Sequence, residues 1–312
     1  MFAEFLPALH GALAFPITPY TPNGDVDLEA VRANARIYPG SGVSAIVAPS
    51  GTGEIFALTP GEVNEIVAAT VDVAGDVPVI APAGIGPRLG AEMAAAAERA
   101  GAKAIMVIPP YYANPDPGGL VQYSADIAAG SSLPILPYAR DAARFTPATL
   151  ESLVNRVPQV VGFKDGRADV RLFQQLRDHV NATFGDDRMV WIGGSGDDLV
   201  GPYFAAGAVG FTSSLACFWP EGAAELFQLA STHDVTGLAA FYDRAIRPIY
   251  AMRQRRPGYE VSVMKTALDL LGYVAGPSRA PLANLTDAER DELAGILEPL
   301  NIPTAADRGI GA

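Results

Sequence analysis

The stretch Val160-Val161-Gly162-Phe163-Lys164-Asp165-Gly166 decides the fold. It is a short apolar run that follows Pro158 and breaks at Gly166, and such a run is typical of a buried strand in a parallel sheet. Because the run ends in Lys164, the lysine side chain is expected to emerge at the carboxyl end of the strand. The sequence holds only two other lysines, Lys103 and Lys265.

Seven further apolar runs surround this stretch, and successive runs are separated by about thirty residues. This spacing is typical of strand–helix–strand units, and eight such units close a barrel. The sequence therefore predicts a (β/α)8 TIM barrel. The eight predicted strands are Gly11–Thr18, Ala45–Ser50, Val77–Gly84, Ala104–Pro110, Pro134–Tyr138, Val160–Lys164, Met189–Gly194 and Gly207–Ser214.

The segments between these runs have apolar residues at helical spacing. Thr59-Pro60-Gly61-Glu62 and Thr146-Pro147 are typical helix starts. A doubly wound open sheet is the alternative, and it is disfavoured because no Gly-x-Gly-x-x-Gly follows the first strand. The predicted helices are Leu28–Tyr38, Pro60–Val73, Arg88–Ala100, Leu120–Ala129, Pro147–Val154, Asp169–Val180 and Asp197–Ala206.

After Ser214 the pattern changes to helices without strands between them. These helices are predicted over Glu221–Ser231, Val235–Met252, Tyr259–Leu271 and Asp287–Leu297. A (β/α)8 barrel needs only one helix after its eighth strand, so these four helices exceed that requirement. We therefore expect a barrel over residues 1–219 and a C-terminal helical extension over residues 220–312, packed on the barrel.

Composition excludes several classes of partner. A formal net charge of −12 at pH 7 argues against nucleic acid and anionic membranes, since both repel an acidic protein. The single cysteine, Cys217, fits a reducing compartment, and no apolar run approaches the roughly 20 residues of a membrane span. A cytoplasmic protein is expected. No histidine or carboxylate cluster stands at a predicted strand end, so a metal site is not expected.

Lys164 is the first candidate for chemistry. A lysine buried at a strand end loses hydration, which lowers the pKa of its amine and frees it as a nucleophile. Such an amine forms a Schiff base with a ketone. The alternative is a structural ion pair between Lys164 and Asp165 at the rim of the barrel.

The other predicted strand ends deliver hydroxyls, backbone amides and one arginine, which suits a keto acid. Each also has a structural interpretation: the Gly51–Gly53 segment as a tight turn, the tyrosines as packing residues, and Arg140 as a partner of Asp141. A phosphate site at Gly193–Gly196 is a further alternative. The candidates are Gly51, Thr52, Gly53, Tyr112, Tyr138, Arg140, Ser213 and Ser214.

Several motifs resemble the dihydrodipicolinate synthase and N-acetylneuraminate lyase superfamily over nearly the whole chain. The similarity is greatest to its 5-dehydro-4-deoxyglucarate dehydratase subfamily, because Tyr138–Pro147 resembles the Tyr-Asn-Arg-Asp stretch of that subfamily. Gly51 replaces the first hydroxyl of the synthase loop, which argues against a true synthase. The motifs are Phe15–Tyr20, Gly51–Glu54, Pro110–Tyr112, Tyr138, Gly162–Asp165, Gly193–Asp198 and Gly258–Lys265.

The resemblance implies a homodimer or homotetramer that uses no cofactor. It implies that Lys164 forms an imine with the C2 ketone and that Tyr138 is the acid and base beside it. Thr52 and the amides of Gly51 and Gly53 would hold the C1 carboxylate, and Arg140 the distal one. Tyr112 is similar to a synthase tyrosine that reaches across a dimer interface, while Ser213 and Ser214 are candidates for hydroxyl contacts.

The reaction that the resemblance implies is dehydration and decarboxylation of 5-dehydro-4-deoxyglucarate to 2,5-dioxopentanoate. Two alternatives stay open. In the first, the chain is another keto-acid aldolase or a 2-keto-3-deoxy sugar acid dehydratase on the same scaffold. In the second, it binds keto acids without turning them over.

Overall fold

The structure, a computed structural model, describes residues 2–110 and 113–310. Eight parallel strands pair in chain order, and the last pairs with the first to close the barrel. The predicted (β/α)8 barrel is confirmed. The strands are β1 Ala12–Ala14, β2 Ala45–Val47, β3 Val79–Ala83, β4 Ala104–Val107, β5 Ile135–Ala139, β6 Gly162–Asp165, β7 Val190–Gly193 and β8 Gly210–Ser213.

Most of the strands are shorter than their apolar runs, because residues at one or both ends of a run lie in the adjoining loops. All seven predicted crossover helices are present. Thr59 and Thr146 cap their helices as expected, since each hydroxyl accepts a backbone N–H of the first turn. The barrel helices are α1 Leu28–Ala35, α2 Pro60–Val73, α3 Pro87–Arg99, α4 Pro117–Ala128, α5 Pro147–Arg156, α6 Val170–Phe184 and α7 Val200–Ala205.

The side chains of the barrel separate into two apolar cores. One fills the inside of the barrel and includes Leu13, Phe15, Leu136 and Ile192, while the other lies between the strands and the helices. Because successive side chains of a strand point to opposite faces, this separation fixes which residues reach the inside. The 3-10 helix Leu6–Leu9 belongs to the inner core.

The C-terminal helices are α8 Pro220–Ser231, α9 Val235–Phe241, α10 Arg247–Arg253, α11 Tyr259–Leu270 and α12 Asp287–Leu297. A π-helical turn joins α9 to α10, so the predicted single helix is present with an interruption. Helix α8 packs against β1, β8 and α7, whereas α10, α11 and α12 pack against one another. The domain boundary at residue 220 stays a prediction. In the part of the chain that the structure describes, we find no helix long and apolar enough to cross a membrane.

Candidate active site

Lys164 and Tyr138 face each other across β5 and β6. Their Cα atoms are partners in the parallel register, and both side chains point inside the barrel. The Lys164 Nζ lies 3.3 Å from the centroid of the Tyr138 ring and 5.0 Å from that of Phe15. The lysine amine is thus enclosed by aromatic surface, with 2% of the residue exposed.

Two glycines allow this close packing. A Cβ on Gly194 would lie 2.6 Å from the Cε of Lys164, and a Cβ on Gly166 would lie 2.5 Å from the Cε2 of Tyr138. Both distances are shorter than real Cβ contacts. The glycines that follow β6 and β7 therefore leave the space that the two side chains occupy.

Asp165 does not pair with Lys164. It lies on the opposite face of β6, where its carboxylate accepts hydrogen bonds from the Tyr203 hydroxyl and, at 3.3 Å, from the Arg167 N–H. Among residues 2–110 and 113–310, no carboxylate lies within 4.0 Å of the Lys164 Nζ. The ion-pair alternative for Lys164 is therefore wrong, and the amine has no carboxylate of the described residues in direct contact.

The surroundings shift both pKa values downward. Burial lowers the pKa of Lys164 because the ammonium loses its hydration, although the Tyr138 oxygen opposes this effect. Burial alone would raise the pKa of Tyr138, but the positive charges of Lys164 and Arg140 outweigh it and hold that pKa below its usual range. An amine and a phenol with lowered pKa values side by side are suited to nucleophilic attack and proton transfer.

Arg140 contacts both Tyr138 and Asp141. Its Nη1 donates to the Tyr138 hydroxyl at 3.2 Å, and its Nε lies 3.6 Å from the Asp141 Oδ2. About half of its side chain, 54%, is exposed. Arg140 therefore stabilises the ionised phenol, and its guanidinium stays accessible from the mouth.

The loop after β2 has three successive backbone amides that are available at the barrel mouth as far as the described residues show. We find no acceptor among the described residues for the N–H groups of Gly51, Thr52 and Gly53. The carbonyl of Gly53 accepts the Thr18 hydroxyl at 2.6 Å, which fixes the loop to the end of β1. Amides without a protein acceptor at a loop of this kind suit a carboxylate.

Ser213 and Ser214 point to the buried carboxylate of Asp197 rather than standing free. The Ser213 hydroxyl donates to its Oδ1 at 2.5 Å, and the Ser214 hydroxyl donates to its Oδ2 at 3.0 Å. Arg253 of α10 donates to the Ser214 hydroxyl at 2.8 Å. Both serines thus already have protein partners.

Sequence reasoning missed Thr212. Its register partner on β1, Leu13, points inside the barrel, so Thr212 points there too. Thr212 is 7% exposed, and we find no hydrogen-bond partner for its hydroxyl in the described residues. Strand alternation counted from Phe211, which lies in the outer core, would have identified it. Tyr112, the remaining candidate, lies outside the described residues.

The phosphate alternative at Gly193–Gly196 gains no support. The Gly194 N–H donates to the Asp165 carbonyl at 2.7 Å, and the N–H of Asp197 just beyond the loop donates to the Tyr250 oxygen at 2.6 Å. The carboxylates of Asp197 and Asp198 also lie at this loop. The two acidic residues beside the loop disfavour an anion there.

The fold and the site define a (β/α)8 barrel with a buried amine at the carboxyl end of β6. Residues 8–300 match the model of the dihydrodipicolinate synthetase family. A probable 5-dehydro-4-deoxyglucarate dehydratase from Methylobacterium radiotolerans is 37% identical over 92% of this chain and 94% of its own length. A probable 5-dehydro-4-deoxyglucarate dehydratase from Streptomyces griseus is also 37% identical, over 92% of this chain and 90% of its own length.

Solved structures agree with this assignment. The dihydrodipicolinate synthase from Bacillus clausii superposes with a TM-score of 0.86 at 27% identity and covers 95% of this chain and 99% of its own. The synthase from Acinetobacter baumannii, complexed with pyruvate, gives 0.83 at 25% identity over 94% of this chain and 99% of its own. The chain belongs to the dihydrodipicolinate synthetase family, and it is a lyase.

Proposed function

We propose that Lys164 forms a Schiff base with the C2 ketone of a keto acid. The observation that carries this proposal is the burial of Lys164 among aromatic rings, with no carboxylate of residues 2–110 and 113–310 in contact. The neutral amine attacks the ketone, and water leaves as the imine forms. The protonated imine then withdraws electrons from C3, so that a proton is lost there more easily.

Tyr138 is the proposed acid and base. Its hydroxyl receives a hydrogen bond from Arg140 and lies beside the amine, so it can accept a proton from the attacking lysine and return it to a departing group. Arg140 keeps the phenolate form accessible, since a cation in contact favours the ionised state.

The carboxylate groups of the substrate have two proposed sites. The amides of Gly51 and Gly53, with Thr52, hold the C1 carboxylate next to the ketone. The exposed side of the Arg140 guanidinium receives the distal carboxylate, and Tyr112 is a further proposed contact. We retain Ser213 and Ser214 only as indirect contributors, because their hydroxyls are bonded to Asp197.

The proposed substrate is 5-dehydro-4-deoxyglucarate, after the relatives that bear this name. With the ketone carbon numbered C2, a proton leaves C3 and the hydroxyl leaves C4 as water. The carboxylate next to C5 then departs as carbon dioxide, and C5 becomes an aldehyde. The products are 2,5-dioxopentanoate, carbon dioxide and water. We further propose that the protein works as a homodimer or homotetramer in the cytoplasm.

Turnover of this substrate tests the proposal. The purified protein is incubated with 5-dehydro-4-deoxyglucarate, carbon dioxide is quantified, and the remaining acid is identified by mass, with Lys164→Ala as the control. One carbon dioxide per 2,5-dioxopentanoate is expected from the wild type and neither product from the variant. Pyruvate without carbon dioxide would show an aldolase instead. An unchanged substrate would contradict the dehydratase.

A further inference from the structure

A buried charged pair joins the loop after β2 to the C-terminal helices. Glu54 directly follows the amides of Gly51–Gly53, and its carboxylate Oε1 lies 2.7 Å from the Nζ of Lys265 on α11. The side chains are 0% and 2% exposed, respectively. Glu54 and Lys265 are hereafter the anchor pair.

Two further hydrogen bonds join the anchor pair to the segment after α11. The Lys265 Nζ donates to the carbonyl of Pro277 at 2.9 Å, and the other oxygen of Glu54 accepts the N–H of Arg279 at 2.9 Å. The Lys265 Nζ also lies 4.0 Å from the centroid of the Tyr20 ring. A buried ion pair with these extra hydrogen bonds is held in one geometry.

The backbone of Glu54 explains why the loop needs this anchor. Glu54 has φ of 58° and ψ of 36°, in the left-handed region that residues other than glycine rarely adopt. Such a conformation persists only where surrounding contacts enforce it. Glu54 directly follows Gly53, so its dihedral angles fix how the loop joins the rest of the chain. They therefore influence the direction of the amides of Gly51–Gly53.

The anchor pair does not touch the space above Lys164. Its contacts run to Tyr20, Pro277 and Arg279, and among the described residues none of its hydrogen bonds or ion pairs involves Lys164 or Tyr138. Any influence on a bound substrate therefore passes through the backbone of Gly51–Gly53.

We propose that Glu54 and Lys265 are positioning residues that aim the amides of Gly51–Gly53 at the carboxylate next to the substrate ketone. Through this pair the C-terminal extension contributes to selection of keto acids over uncharged ketones. This role rests on the proposed function, since it assumes that the loop binds that carboxylate.

Trapping with borohydride measures the selection directly. The rates of adduct formation with pyruvate and with acetone are compared as a ratio, since acetone has the ketone but no carboxylate. The variants are Lys265→Met, Glu54→Gln and the double variant, which removes both charges together. The control is Arg255→Met, which breaks an exposed pair with Glu292 inside the extension. Melting temperatures are measured in parallel.

The pyruvate-to-acetone ratio is expected to fall about tenfold or more in the anchor variants, the size of losing a charge-assisted hydrogen bond, and to stay unchanged in Arg255→Met. If the single variants do not fold, the double variant decides, because it leaves no buried charge unpaired. A folded anchor variant that keeps the wild-type ratio would overturn the proposal. A wild type without any pyruvate adduct would instead overturn the proposed function, and this role with it.

Discussion

Lys164 and Lys265 are both 2% exposed, yet only Lys265 lies against a carboxylate of the described residues. Lys265 has a carboxylate at 2.7 Å and a carbonyl at 2.9 Å, whereas Lys164 faces two aromatic rings, that of Phe15 and the phenol of Tyr138. Burial lowers the pKa of both amines, to about 8 for Lys265 even with Glu54 opposing the shift. Burial therefore does not by itself distinguish a reactive lysine from a structural one.

The presence or absence of a carboxylate partner distinguishes the structural lysine from the reactive one. The Lys265 ammonium is held by two fixed acceptors, the Glu54 carboxylate and the Pro277 carbonyl, and its loss would leave the Glu54 charge alone in the interior. Lys164 leaves no such charge behind, so it can exist as the neutral amine that attacks a carbonyl. Substitutions at the two lysines should therefore have opposite effects on turnover and stability.

The largest expected effect on turnover is that of Lys164→Met. Without an amine no imine can form, so turnover should fall below detection. The free energy of unfolding, measured by urea denaturation, should be unchanged or higher, because methionine fills a similar volume and carries no buried charge. A clear loss of stability would show that Lys164 is structural and would contradict the comparison.

Tyr138→Phe should reduce kcat by about 10²- to 10⁴-fold, since it removes the acid and base and keeps the ring beside the amine. It should also change the pH profile. The Tyr138 oxygen raises the pKa of Lys164, so its removal lowers that pKa further, and the amine becomes neutral at lower pH. The acidic limb of the kcat/KM profile should move to lower pH. A shift to higher pH would contradict the assignment.

Gly194→Ala tests the packing around Lys164. The added Cβ would lie 2.6 Å from the Lys164 Cε, so the lysine or the loop must move, and turnover should fall by up to about 10²-fold. Gly295→Ala on α12 is the matched control, because its Cβ meets no atom within 4 Å. It should leave turnover unchanged and add about 0.5–1 kcal/mol of stability. Equal rates for the two variants would argue against a fixed Lys164 geometry.

Lys265→Met should have the smallest effect on maximal turnover and the largest on stability. It leaves the Glu54 carboxylate buried without its partner, which costs about 3–5 kcal/mol of the free energy of unfolding. Urea denaturation measures the loss, and addition of Glu54→Gln should recover much of it. A loss below about 1 kcal/mol, the size of an exposed pair, would remove the contrast between the two lysines.

The sequence was sufficient for the parts of the site that depend on local pattern. An apolar run that ends in lysine predicts both β6 and the position of Lys164 at the carboxyl end of that strand, and the pattern of runs predicts the barrel. The direction of a side chain at a strand end depends more on contacts with distant residues. Ser213 donates to Asp197, which precedes it by sixteen residues, whereas Thr212 points inside the barrel. Strand alternation can identify Thr212 as pointing inside, but only the packed structure shows that Ser213 is bonded to Asp197.

Contacts between distant parts of the chain were not predictable. Glu54 and Lys265 are 211 positions apart, and neither is marked by a motif that requires the other. The same holds for Asp165, whose partner Tyr203 lies 38 residues later, so the sequence left open an ion pair with its neighbour Lys164. The partner of each of these side chains depends on which residues the barrel and its extension bring together.

The most direct test of the account is the site of covalent trapping. The wild type, Lys164→Ala and Lys265→Met are each reduced with borohydride in the presence of pyruvate, and the intact masses and modified peptides are measured. One pyruvate adduct located on Lys164 is expected in the wild type and in Lys265→Met, and none in Lys164→Ala. An adduct on Lys265, or one that persists without Lys164, would contradict the claim that the amine without a carboxylate partner is the nucleophile.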